Sequence, residues 1–237
     1  LAIPLASFHM LGTEQLDYVD AALREGVLYE MSDRLQHHDI RTHTIQSLIK
    51  RYAVDLEQAN RVNQAAQRIF NQVKADWHLD ESWAELLQFA ASVYEIGLQI
   101  NSSSVQRHSA YILNNSNLPG FNQEQQRLLA CLVRFHRRKI KVDDIPQFYL
   151  FSNVEFHRVL CIFRMAVLLN QKRRDDLTPD IELKAQASQL TLLLSEEWYQ
   201  QHSVLAADLA AEQQYLRRID VQLDCPGLPQ DSIEELT

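Results

Sequence analysis

Glycine and proline are scarce in this chain, five and six among 237 residues, although 46% of the residues are hydrophobic. So little turn-forming material excludes a fold of many short strands and favours long helices. Cysteine is scarce too. Cys131, Cys161 and Cys225 are odd in number and widely spaced, which excludes a disulfide framework and zinc-ligand spacing and fits reduced thiols in a cytoplasmic protein. No apolar run reaches the length of a membrane span, because VLCIFRMAVLL is broken by Arg164, and no basic stretch leads into an apolar leader. Also missing are a glycine-rich phosphate loop, G-x-S-x-G, H-E-x-x-H and a closely spaced cysteine pair, so a self-contained catalytic centre has no obvious location. The net charge of −8 argues against generic nucleic-acid or acidic-membrane binding, leaving any anion site to local charge.

What is present is helical periodicity. Ile40, Thr44, Ile45, Leu48, Ile49 and Tyr52 recur at three and four, the spacing of one helix face. Asp55 is placed to cap a longer helix with Leu56, Ala59, Val62, Ala66, Ile69, Val73 and Trp77 inward. Asp80 or Ser82 opens the next, with Trp83, Leu86, Leu87, Ala90, Val93 and Tyr94 inward and Gly97 as its C-terminal breaker. A polar loop then presents Arg107 and His108 beside a short helix near Val105 to Leu113, and NNSNLPG is a connector. Asn122 with Gln125 forms a capping-box pattern for a helix running to His136. Val154 to Asn170 is apolar nearly all round and therefore central. The charged stretch KRRDDLTP marks a boundary. Beyond it, IELKAQ and LTLLLS read as a hairpin, Ser203 to Arg217 as a helix, RIDVQL as a last strand, and PGLPQDSIEELT as a disordered tail. The fold class is mostly α.

Two clusters could carry chemistry. His43, His108 and His136, with Glu95 between them, are raw material for a metal site, although nothing in their spacing proves convergence. Scattered surface or core histidines are the simpler explanation on spacing alone. Between Gln125 and Val142, Arg127, Arg134, Arg137, Arg138, Lys139 and Lys141 occur with no acidic residue among them. Cations are favoured near helix C-termini, which accounts for one or two of these charges better than for six. The remainder points to an anion.

The stretches ALREGVLYEM, HHDIRTHTIQSL, YEIGLQI, RHSAYILNNSNLPGFNQEQQ and LVRFHRRKIKVDDIPQF together resemble the C-terminal half of bacterial exopolyphosphatases and the related guanosine pentaphosphate phosphatases. The likeness runs from about Ala22 to near Cys225, and REGVLYEM leans toward the exopolyphosphatase branch. It implies a four-domain parent whose two actin-like domains hold the catalytic carboxylate and phosphate-binding glycines. Residues 1–31 would be a remnant of the second of these, 32–176 a helical domain similar to HD-type metal phosphohydrolases, and 177–237 a small mixed α/β domain. The start at Leu1 in mid-pattern agrees with a fragment.

Under this resemblance His43 matches the first metal-ligating histidine of HD hydrolases, Tyr94-Glu95 occupies the pair position, and Val167 stands where a later aspartate is expected. A tyrosine hydroxyl is a poor substitute for imidazole, and valine cannot coordinate. The resemblance therefore implies a degenerate metal site and no catalytic residue in this chain, with divalent metal, magnesium, serving the parent enzyme. It leaves Arg107, His108, Arg134, His136, Arg137, Arg138, Lys139 and Lys141 as a polyphosphate-binding track, arginine forks being suited to phosphate oxygens. Inorganic polyphosphate and a second copy of the chain are the expected partners. The competing readings are an HD-type phosphohydrolase acting on nucleotides such as guanosine pentaphosphate, with metal on His43, Glu95, His108 and His136, and a purely structural module whose basic face meets a protein.

Overall fold

The computed structural model describes residues 39–174 and 181–229. The remnant expected at 1–31, the boundary expected at 176–177 and the tail from 230 onward lie outside them. Eight helices are found among the described residues: α1 (Asp39–Arg51), α2 (Leu56–Val73), α3 (Ser82–Val93), α4 (Val105–Asn115), α5 (Gln123–Phe135), α6 (Asn153–Leu169), α7 (Glu196–Gln201) and α8 (Ser203–Leu216). Three short strands follow the same order, β1 (Glu182–Gln186), β2 (Gln189–Leu193) and β3 (Gln222–Asp224). The mostly helical class is thus observed, with one small sheet.

Local chemistry sets the helix starts. The Asp55 carboxylate accepts from Gln58 N at 3.1 Å and opens α2, whose buried face is Ala59, Val62, Ala66, Ile69, Phe70 and Val73. The reciprocal capping box of α5 is complete, Asn122 Oδ1 accepting from Gln125 N at 2.8 Å and Gln125 Oε1 from Asn122 N at 3.1 Å. Trp77, expected on the α2 face, lies past the helix end in the following turn, where it is still fully buried. Helix α6 is the hub. Val159, Leu160, Cys161, Ile162, Phe163, Met165 and Ala166 are all fully buried, and the helix packs against α2, α3, α5 and α8.

Gly97 departs from the expected role. Helix α3 ends at Val93 and a 3-10 turn, Ile96–Gln99, follows, so Gly97 sits inside that turn and not at a left-handed helix stop. Its lack of a side chain serves the approach of α4, since a Cβ there would lie 2.5 Å from Ser109 N and 2.6 Å from Val105 O. The Ser109 hydroxyl locks the contact, donating to Tyr94 O and accepting from Gly97 N, each at 2.8 Å. Arg107 and His108, expected on a loop, belong to the first turn of α4.

The sheet order is β1-β2-β3, antiparallel between β1 and β2 (Leu183 opposite Leu192) and parallel between β2 and β3 (Leu190 opposite Leu223). Alternation buries Leu183, Ala185, Leu190, Leu192 and Leu223 against the helices. The Gln72 amide ties β1 to α2, donating to Ile181 O at 3.0 Å and accepting from Leu183 N at 2.8 Å. Two expectations shift here. RIDVQL begins as a 3-10 turn, Arg217–Ile219, because the chain must reverse through a left-handed Asp220 before β3 can run parallel to β2. The first residues of the expected disordered tail form a turn at Gly227 (φ 82°), with Leu228 N bonded to Cys225 O and Leu228 packed on the core.

Candidate functional site

A cleft of about 470 Å³ opens between the C-terminal ends of α5 and α6 and one side of α8. Three of the four residues of the expected degenerate metal site, Tyr94, Glu95 and Val167, meet in its wall. His43 does not join them: it is exposed on α1 and absent from the cleft lining.

The chemistry of this wall is that of a packed, hydrogen-bonded surface. Gln58, 2% exposed, donates through Nε2 to Tyr94 Oη at 3.2 Å and to Asn170 O at 2.9 Å. Because Asn170 O can only accept, the amide orientation is fixed, which leaves Gln58 Oε1 without a partner among the described residues. Burial pushes the Tyr94 hydroxyl above its ordinary range, aided by the neighbouring Glu95, so it stays protonated. The Glu95 carboxylate is taken by Arg173, whose Nη2 lies 2.6 Å away while Nη1 reaches Asp55 at 2.8 Å. One engaged carboxylate, a neutral phenol and a valine do not fit a divalent ion. The alternative ligand set, His43, Glu95, His108 and His136, is not assembled either, and no group of three metal-binding side chains occurs among the described residues. His108 is half-buried on α4, its Cβ pressed against the position a Gly97 side chain would need.

The expected basic track divides into parts. Arg107 and Arg134 lie near each other across α4 and α5. Burial first and the Arg107 charge second lower the pKa of Arg134, and Asp144 compensates from 3.9 Å. Arg137 and Arg138 are exposed at the cleft margin, and Lys139 and Lys141 are exposed on either side of the fully buried Ile140. Among the described residues none of Arg137, Arg138, Lys139 and Lys141 forms an ion pair.

His136 is the exception in this track. It is 3% exposed, its ring sits edge-on to Tyr94 at 5.1 Å, and Nδ1 lies 2.6 Å from Val133 O, so Nδ1 carries the proton and donates. Burial drives its pKa down to about 3. At neutral pH it is an uncharged part of the helix end and adds no positive charge to an anion site.

Two residues that organise this region were not among the sequence candidates. Arg164, 1% exposed, grips the carboxylate of Glu212 on α8 through Nε and Nη2, the latter at 2.7 Å. Its Nη1 donates to Phe135 O and its Nη2 to Arg138 O at 2.9 Å, and the guanidinium stands over the Tyr215 ring at 5.6 Å. The signal was visible as a charge inside the most apolar part of α6, between Val159 and Leu169, since a fully buried arginine requires a partner. Glu212 gave no such signal, lying in a segment read only as a helix.

The described residues thus set a packed, hydrogen-bonded wall of Tyr94, Glu95 and Val167 beside an exposed basic turn. Comparison with known proteins makes the assignment: the family model described as Ppx/GppA phosphatase, domain III, matches residues 40–213. A guanosine-5'-triphosphate,3'-diphosphate pyrophosphatase of Vibrio atlanticus (strain LGP32) is 36% identical over 213 residues, 90% of this chain and 42% of the relative. The chain belongs to the Ppx/GppA phosphatase family and spans about two fifths of the length of that relative. No helix among the described residues is long and apolar enough to cross a membrane.

Proposed function

We propose that this chain is the anion-holding C-terminal part of an exopolyphosphatase in the cytoplasm. It binds inorganic polyphosphate away from the scissile end, while actin-like domains of the parent release terminal phosphate with a divalent metal. It contributes no catalytic residue, and it pairs with a second copy. The observation that carries this reading is the run Arg137, Arg138, Lys139 and Lys141, exposed and without ion pairs among the described residues, with Arg107 and Arg134 as a second basic group. Arg107 and Arg134 repel each other, and an anion placed between them relieves that repulsion. A ligand of closely spaced charges with no bases to read needs only such a track.

The test is polyphosphate binding by the chain across a salt series. Arg137→Ala, Arg138→Ala and Lys139→Ala together should weaken binding and lower the slope of log K against log salt by about 2 to 3. No binding at low salt, or an unchanged slope in the triple variant, would sink the reading.

A second reading is favoured by the relative, whose name specifies a guanosine nucleotide carrying phosphates at both ends. Competition separates the two. Displacement of bound polyphosphate by guanosine pentaphosphate at far lower concentration than by tripolyphosphate supports the nucleotide. Equal displacement at equal charge supports polyphosphate.

A further inference from the structure

The basic turn after α5 is built from inside the protein. Helix α5 ends at Phe135, His136 is its last cap residue, and Arg138 adopts a left-handed conformation at φ 62°, which is unfavourable for an arginine unless something holds it. What holds it is Arg164. Its guanidinium binds a carbonyl on each side of the turn, Phe135 O and Arg138 O, and is itself fixed by two contacts to the Glu212 carboxylate on α8. The exposed pair Arg137 and Arg138 therefore points outward from a loop whose backbone is clamped by a buried cation lying directly beneath it.

We infer that Arg164 and Glu212 are positioning residues for anion binding: they hold the turn in the shape that presents Arg137 and Arg138 side by side, and they make that presentation depend on the placement of α8. This rests on the reading that the turn binds a phosphate chain. Arg164 touches no ligand, being 1% exposed, and acts only through the two carbonyls. The clamp accounts for a buried charge pair on a face where apolar packing would suffice, since such pairs replaced by apolar residues of similar size often cost little stability.

The double variant Arg164→Met with Glu212→Leu separates positioning from folding. It should still fold, with wild-type helix content and a melting temperature lowered by the loss of the donor to Phe135 O and Arg138 O. It should bind long-chain polyphosphate at least fivefold more weakly, with a salt slope reduced by about 1 to 2 as the two arginines cease to act together. Glu212→Gln, which keeps one acceptor for Arg164, should fall between wild type and the double variant. A folded double variant with wild-type affinity and slope would overturn the inference, and so would failure of both variants to fold, because the pair would then belong to the fold alone. Wild-type chain that binds no polyphosphate would instead overturn the functional reading on which this one stands.

Discussion

Replacing Gly97 with alanine should cost about 2 to 4 kcal/mol of stability, from overpacking of about 1 to 3 kcal/mol and a lost hydrogen bond of about 1 kcal/mol. The added methyl would meet Ser109 N at 2.5 Å, Val105 O at 2.6 Å and His108 Cβ at 2.7 Å. Two of these are main-chain atoms of α4 and the third is the root of a side chain, so none can swing away. Helix α4 would have to retreat from the 3-10 turn, breaking the bond between Gly97 N and the Ser109 hydroxyl. For a unit of this size the loss corresponds to a fall of roughly 10 °C in Tm. Gly120→Ala differs in cause: its backbone is left-handed at φ 88°, so alanine is strained there by its own conformation, and the added methyl would also meet Arg41 Cγ at 2.8 Å and Arg41 N at 3.0 Å. Chemical denaturation of Gly97→Ala and wild type measures the loss. Gly97→Ala within about 0.5 kcal/mol of wild type, the range of neutral surface changes, would refute the claim that this glycine exists for helix approach.

Stability should fall as pH drops from about 6.5 toward 4, because unfolded His136 takes up a proton near 6.5 that the buried ring refuses until about pH 3. The stabilisation is therefore full above the unfolded pKa and is lost with acidification. His157, also lowered by burial, adds in the same direction, so His136→Gln should reduce this slope without abolishing it, as urea unfolding at pH 7, 6, 5 and 4 will read. The three cysteines are buried, and burial pushes the Cys131 and Cys225 thiols up to about 12 and Cys161 higher still. A thiol reagent at pH 8 should label none of them in the native protein and all three in denaturant, and rapid native labelling would contradict their placement.

Local signals were readable where one residue does one job. Asp55, Asn122 and Gln125 announced their helices because capping needs only neighbours three residues away. The encirclement of α6 was readable from apolar residues on all its faces. Gly97 was recognised as special but for the wrong reason, since the constraint comes from Ser109, twelve residues on, and not from its own backbone. Ser195 was missed as the start of α7, although Glu196 and Glu197 fill its first turn, because six residues show no periodicity. At the site, the run 134–141 was legible as charge, but the sequence could not say which members point outward. His136 turns into the core because its Nδ1 satisfies the Val133 carbonyl at the helix end, a three-dimensional fact with no compositional trace.

The acidity of the whole chain, net −8, does not argue against a phosphate ligand once the carboxylates around the cleft are followed to their partners. Glu212 is bound to Arg164, Glu95 and Asp55 to Arg173, and Asp208 accepts from the Gln171 amide at 2.6 Å. Each of these four carboxylates has a donor within the protein, although Arg173 serves two of them and the Gln171 amide brings no charge. Arg137, Arg138 and Lys139 form no ion pair among the described residues. At physiological salt, charges more than about 8 Å away across solvent are largely screened. On the proposed reading an incoming phosphate chain would respond to these three adjacent cations more than to the distant surface. By the same reasoning the neutral wall of Tyr94, Gln58 and Val167 matters for what it withholds. On the proposed reading these three side chains offer a divalent metal no ligand set, and phosphate oxygens there would be left to the arginines.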